Sequence, residues 1–144
     1  LMQDWLEPYR AEIEQIASDP SDAIGQNSLL WRLVYNVIKS LLASRPDFKL
    51  VRHEDLSLDP LEGFGTLYAD LGLAFTDKAR QKVLASTNPE NPGELKRSSA
   101  HGVRLDSRAN LDNWKRRLSA TEIGRIRQIT EETALHFYPD LSWN

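Results

Sequence analysis

Apolar residues recur every three or four positions through most of this chain, which predicts amphipathic helices interrupted by one extended stretch. Trp5, Leu6, Tyr9, Ile13 and Ile16 give a first helix, about Trp5 to Ala17, with Pro8 early enough to be tolerated in an opening turn. Ser18-Asp19-Pro20-Ser21-Asp22 breaks the pattern, and a second helix runs to about Ser44. Its wide stripe is Leu30, Leu33, Val34, Val37, Ile38, Leu41 and Leu42, extended by Trp31 and Tyr35, and is expected to pack in the core. After the turn Arg45-Pro46-Asp47, Phe48, Leu50 and Val51 predict a buried strand that runs out into Arg52-His53-Glu54-Asp55. Asp59-Pro60 then reads as a helix start, with Asp as N-cap and Pro in the first helical position. Helix, strand, helix is the order of a parallel layer, whose chemistry sits beyond the carboxyl ends of its strands. The expected class is therefore α/β, mostly helical with one or two strands, and the cluster at Arg52–Asp55 is the first candidate site.

The third helix carries Leu61, Phe64, Leu67, Tyr68 and Leu71 and ends at Gly72. Gly63 and Gly65 inside it do not make a phosphate loop, because their spacing is wrong and no strand directly precedes them. Thr76 is positioned to cap a fourth helix, about Asp77 to Ala85. Residues 86–107 are polar and irregular, with turn signals at Asn88-Pro89 and Asn91-Pro92-Gly93, and a flexible loop is expected at about 88–107. A short helix from Asn110 to Leu118 holds Trp114. Ser119 and Glu122 form a capping box ahead of a last helix with Ile123, Ile126, Ile129, Thr130, Ala134 and Phe137 inward. The aromatic tail Phe137–Trp143 is expected to fold back onto the body.

Composition narrows the choice of function. The 144 residues suffice for one domain with its own core, although Leu1-Met2-Gln3-Asp4-Trp5 does not read as a natural start and suggests a fragment. No apolar run approaches the roughly 20 residues of a membrane span, and no signal-peptide pattern is present. With no cysteine there is neither a disulfide framework nor a thiolate metal site, which is compatible with a reducing, cytoplasmic setting. A net charge of −3 argues against nucleic acid as a partner. The charge is uneven, however. Pro89 to Arg117 holds seven Lys/Arg against four Asp/Glu, which reads either as a local anion site or as a solvated loop. His53, His101 and His136 lack ligand spacing for a metal, and no nucleophile elbow supports a serine hydrolase. Glu54 and Asp55 are a carboxylate pair open to acid–base work or to holding an arginine and backbone amides.

Several motifs, taken in order, resemble the sulfotransferase family. His53-Glu54-Asp55-Leu56 with Asp59-Pro60 is similar to its "Y/H-E-D-L…D-P" signature, and Leu71-Gly72-Leu73 with Phe75-Thr76 to its "LGL-x-F-T" run. Val83-Leu84-Ala85-Ser86-Thr87 resembles the following helix end. Asp106-Ser107-Arg108-Ala109-Asn110-Leu111, Trp114-Lys115 and Leu118-Ser119 resemble the late "R…WK…LS" block, and Glu122-Ile123 and Phe137-Tyr138-Pro139 the last helix. The resemblance covers nearly the whole chain from Trp31 on.

The resemblance implies the later, helix-rich part of a P-loop-like parallel-sheet fold, without the phosphate-cradling loop or the usual catalytic base. It implies 3′-phosphoadenosine 5′-phosphosulfate (PAPS) as sulfuryl donor and a small-molecule or carbohydrate hydroxyl or amine as acceptor. The upstream part of the same protein would be a necessary partner, and a homo-oligomer is left open. His53 would pack at the adenine, Ser86 and Thr87 would bond its edge, and Arg108 would meet the 3′-phosphate with backbone amides near Ala109 and Asn110. Many relatives have Arg-Lys-Gly there, so Ala109-Asn110 departs from the pattern at the glycine. Trp114, Glu54 and Asp55 would be structural. Two rivals stay open: a non-catalytic helical interaction module, and another P-loop-like nucleotide enzyme such as a kinase.

Overall fold

The computed structural model describes residues 2–94 and 104–139, and among them all regular structure is helical. In order these are α1 (Met2–Leu6), a 3-10 turn (Glu7–Tyr9) that contains Pro8, α2 (Arg10–Ala17), α3 (Ala23–Ser44), α4 (His53–Leu58), α5 (Pro60–Asp70), α6 (Asp77–Thr87), α7 (Ser107–Asn110), α8 (Asn113–Arg117) and α9 (Ala120–Phe137). They fall into two units, residues 1–49 with 118–144, and residues 50–117.

The first unit is built on α3 lying along α9. Small residues at the contact allow a close approach: Gly25 and Ser28 on α3, and Thr130, Thr133 and Ala134 on α9, are buried with Leu29 and Phe137. Trp31 and Tyr35 stack at 4.0 Å, and the Phe137 ring meets Tyr35 edge-on at 5.1 Å. Polar ties join three segments. The Thr133 hydroxyl donates to Asn36 Oδ1 (3.0 Å), Asn36 Nδ2 donates to the Tyr9 hydroxyl (3.0 Å), and Arg32 pairs with Glu12 while donating to the Ile129 carbonyl (3.3 Å). The expected core face of α3 is corrected here. Leu30, Val34 and Leu41 are 60, 46 and 38% exposed, on the side turned away from the buried residues. The contact with α9 is made instead by the side of α3 that carries its small and polar residues, Gly25, Ser28, Arg32 and Asn36, so the widest apolar stripe does not mark the covered face.

In the second unit α5 packs on α4 and α6, and α7 packs on α4. Gly63 lets α4 approach, since a Cβ there would stand 3.3 Å from the Leu56 Cα, and Gly65 faces the Phe75 ring. At the end of α5, Gly72 adopts φ +67°. Its N–H donates to the Ala69 carbonyl (3.0 Å) and that of Leu73 to the Tyr68 carbonyl (2.8 Å), a Schellman closure. Asp59, Thr76 and Ser119 cap α5, α6 and α9, the last with the full reciprocal box.

The α/β expectation fails in this chain at the predicted strand. Residues 48–51 form no strand, and Phe48, Leu50 and Val51 are 45, 49 and 40% exposed. A strand needs a neighbour to pair its backbone, and none exists among the described residues. His53, Glu54 and Asp55 accordingly open the helix α4 instead of ending a strand. The expected helix 110–118 is divided between α7 and α8. The tail beyond Pro139, and Lys96, Arg97 and His101 of the expected flexible loop, lie outside the described residues.

Candidate functional site

The second unit contains a cleft of about 830 Å³. The end of α4, the start of α5, the end of α6 and the start of α7 line it, through Ser57 to Leu61, Leu84, Thr87 to Pro89, and Asp106 to Ala109. Local chemistry explains why these ends converge. Asp59 terminates α4 and caps α5, its Oδ1 accepting the Glu62 N–H at 3.1 Å. Pro60 then starts α5 at no cost in backbone hydrogen bonding. At the other wall Asn91 Nδ2 donates to the Ala85 carbonyl (3.1 Å), the Leu105 N–H to the Ser86 carbonyl (3.1 Å) and the Asp106 N–H to the Pro92 carbonyl (3.0 Å). These bonds tie the stretch ahead of α7 to the end of α6. Buried Asn113 continues the tie, donating to the Gly93 carbonyl at 3.0 Å and to Asn110 Oδ1 at 2.6 Å.

Of the residues named for a nucleotide, Thr87, Arg108 and Ala109 share this cleft, although Thr87 is far from the other two in sequence. Ser86 and Asn110 are half-buried beside it, Ser86 through its carbonyl and Asn110 through its bond to Asn113. His53 is exposed and does not line the cleft. Its Nε2 lies 3.4 Å from the Ser57 hydroxyl one turn along α4, and it is Ser57 that reaches the wall. Two further carboxylates, Asp59 and Asp106, line the cleft, each as the N-cap of a helix, and an Asp ahead of a helical run is the sequence signal that finds both.

Most polar groups of the cleft are engaged within the protein. Arg108 Nη2 donates to the Leu58 carbonyl at 2.6 Å and the Ser107 hydroxyl to the Ser57 carbonyl at 3.2 Å, so α7 satisfies carbonyls at the end of α4 that a helix leaves without partners. The Ala109 N–H is taken by Asp106 Oδ1 (2.9 Å), the Asn110 N–H by the Asp106 carbonyl (3.1 Å), and the Thr87 hydroxyl donates to the Val83 carbonyl (2.9 Å). The basic segment also answers itself. Arg117 and Arg116 meet Glu94 at 3.0 and 3.5 Å and hold its carboxyl below the usual carboxylate range, while Lys115 pairs with Asp112 at 3.3 Å. Outside the cleft Arg52 grips Asp55 with both arms (2.9 and 2.6 Å), which holds that carboxyl below its usual range and makes the two a helix-opening ion pair.

PAPS, the group that the resemblance implies, fits these residues in one part only. Leu58, Pro60, Leu61, Leu84 and Pro89 give a mainly apolar wall suited to a flat base. For the 3′-phosphate, Arg108 is the cation among the lining residues. It shares the cleft with Asp59 and Asp106, and the amides expected to help it are already bonded to Asp106. Among the described residues no group of acids and histidines could hold a metal ion, and no helix is long and apolar enough to cross a membrane.

Comparison with known proteins gives a partial relative. Over 82 residues, 57% of this chain, the sequence is 29% identical to carbohydrate sulfotransferase 5 of Mus musculus. The aligned stretch covers 20% of that protein's own length. No family model and no solved structure matches. The relationship is sulfotransferase-like and extends over part of the chain.

Proposed function

We propose that this chain is the nucleotide-closing part of a sulfotransferase that moves a sulfuryl group from PAPS to a carbohydrate hydroxyl or amine, and that its cleft receives the adenosine end of the donor. One observation carries the reading. Thr87, Arg108 and Ala109, which the resemblance nominates independently of any geometry, line the same cleft. The partial likeness to a carbohydrate sulfotransferase supports the reaction class and suggests the acceptor. PAPS, when bound, supplies the activated sulfuryl group. The chain's own work is binding. The apolar wall removes water from the base, the Thr87 hydroxyl can accept from its amino edge, and Arg108 offers a planar fork to a phosphate. The capped ends of α5 and α7 hold that fork in place. Acceptor deprotonation and the grip on the 5′-phosphosulfate fall to the upstream part of the same protein.

The satisfied amides at Ala109 and Asn110 favour a second reading, in which the scaffold persists as a non-catalytic helical module. Calorimetric titration of the complete protein with 3′-phosphoadenosine 5′-phosphate and with ATP separates the possibilities. Saturable heat with the former and none with ATP is expected. Equal affinity for ATP overturns the reading in favour of a kinase-like enzyme, and no heat with either ligand in favour of the module.

A further inference from the structure

The caps that frame the cleft carry more charge than capping needs. Asp59 caps α5 and Asp106 caps α7, each through one carboxylate oxygen, on the Glu62 N–H at 3.1 Å and the Ala109 N–H at 2.9 Å. A neutral side chain can do the same work, and this chain caps α6 with Thr76 and α9 with Ser119. Three other acids of the unit have a cation beside them: Asp55 has Arg52, Asp112 has Lys115, and Glu94 has Arg116 and Arg117. Among the described residues neither Asp59 nor Asp106 is part of an ion pair.

Both carboxylates stand where Arg108 meets the cleft. Asp59 directly follows Leu58, whose carbonyl accepts from Arg108 Nη2 at 2.6 Å. Asp106 opens the turn that carries Arg108, and the Ala109 N–H holds its side chain over that turn. All three line the cleft, so its wall bears one positive and two negative side chains. A phosphate monoester carries close to two negative charges near neutral pH. Such a group is drawn by the guanidinium and repelled by both carboxylates in the same place. Repulsion of this kind acts within the Debye length, about 10 Å at ordinary salt.

We infer that Asp59 and Asp106 hold down the affinity of the cleft for the phosphorylated nucleoside and so set how readily the product nucleotide leaves. This role presupposes the nucleotide reading of the cleft. The donor and the nucleotide that remains after transfer share their adenosine end, so a contact made there retains the product as well as the donor. Release of product limits many enzymes, and a weaker grip at the shared end speeds it. Capping and repulsion are separate duties of one side chain. Asparagine keeps the first and removes the second.

The test is calorimetric titration of the complete protein with 3′-phosphoadenosine 5′-phosphate at low and high salt. It compares wild type, Asp59→Asn, Asp106→Asn and the double variant. Asp106→Ser, which also caps, repeats the charge removal with a different side chain. Asp70→Asn is the control, an equal loss of charge at the far end of α5, about 15 Å from Pro60 at 1.5 Å per residue. At low salt each cleft variant should bind about threefold or more tighter than wild type, and the double variant about tenfold. The difference should shrink at high salt, and dissociation followed by stopped flow should slow in proportion. Asp70→Asn should match wild type. Equal or weaker binding by the double variant overturns the inference, as does an equal rise in Asp70→Asn or a rise that salt leaves unchanged. Each of those results leaves the nucleotide reading standing, because the nucleotide still binds. No binding by wild type or any variant removes the nucleotide reading, and this role with it.

Discussion

Replacing Gly25 by alanine should destabilise the protein, although alanine is the better helix former by about 1 kcal/mol. Gly25 sits in the first turn of α3, where its N–H donates to Asp22 Oδ1 at 2.9 Å. The other carboxylate oxygen of Asp22 pairs with Arg125 of α9, and the Asp22 side chain is only 10% exposed. A Cβ at position 25 would stand 2.8 Å from the Asp22 Cγ, nearer still to Oδ2, and 3.0 Å from Arg125 Nη2. The carboxylate must therefore swing away and give up both partners. Loss of an N-cap costs about 1 kcal/mol. The ion pair adds no more than about 1 kcal/mol, because Arg125 is half in solvent. Against these stands the propensity gain, so the net cost is about 1 kcal/mol. In an Asp22→Ala background the obstructing carboxylate is gone and Gly25→Ala should stabilise by up to about 1 kcal/mol. The coupling is then about 2 kcal/mol, well above the additivity error of independent sites. Urea titrations of the four proteins, read as midpoint shifts at constant slope, measure it. Asp22→Asn keeps the cap and loses only the ion pair, and should fall between wild type and Asp22→Ala. If Gly25→Ala stabilises equally in both backgrounds, the shared role of Asp22 is refuted.

Arg108→Ala in the complete protein should weaken 3′-phosphoadenosine 5′-phosphate by about 1–3 kcal/mol, and unchanged calorimetric affinity would remove Arg108 from the site. Leu84→Trp should fill the cleft and abolish that binding with little change in melting temperature, since Leu84 is exposed and makes none of the ties that hold α7; full-strength binding would place the ligand elsewhere. Asn113→Ala should cost about 1–3 kcal/mol, because it leaves the Gly93 carbonyl without its donor, and denaturant midpoints check it. In the capping box the Ser119 N–H and hydroxyl, each 2.7 Å from Glu122 Oε2, hold the Glu122 pKa below its ordinary 4.5. A depressed carboxylate stabilises the fold fully above pH 4.5 and loses that contribution as pH falls through the lower folded value. The denaturant midpoint should therefore drop on acidification below 4.5, and less steeply in Glu122→Gln; identical slopes would dismiss the box as a source of acid sensitivity.

What the sequence disclosed were features decided within a few residues. Asp59-Pro60, Thr76, the Ser119–Glu122 box and the Gly72 closure all satisfy groups no more than five positions away, so their residue types reveal them. What it withheld depends on distant neighbours. Nothing local says that Ser28 and Thr133 should be buried while Leu30 is open, because that is fixed by how closely two helices 97 residues apart in their Asn36–Thr133 contact can approach. Nor could the pattern Phe48-Lys49-Leu50-Val51 know whether a pairing edge would be present. It reads as a strand because its side chains would fit one, and it forms no strand among the described residues because ladder bonds must come from a neighbouring strand.

The candidate site shows how one such miss carries into another. The positive charge of Arg108 was legible, and with it an expectation of an anionic ligand. Its actual partner, the Leu58 carbonyl, was not, because Arg52-His53-Glu54-Asp55 reads as the place where a strand runs out, and it is the end of a helix that leaves a row of carbonyls without intrahelical partners. With α4 in place, Arg108 and Ser107 become C-terminal partners of that helix, and Asp106 becomes the cap that orients them. A ligand phosphate at Arg108 must therefore outcompete, or be accepted alongside, a 2.6 Å bond to a helix carbonyl. The planar guanidinium permits the second course: one edge can keep the carbonyl while the other turns to the cleft. That geometry predicts a ligand-bound state in which α7 stays docked on α4, so the Arg108→Lys variant, with a single ammonium to share, should lose affinity nearly as far as Arg108→Ala. Affinity retained by lysine would mean that charge alone suffices and that the fork plays no part.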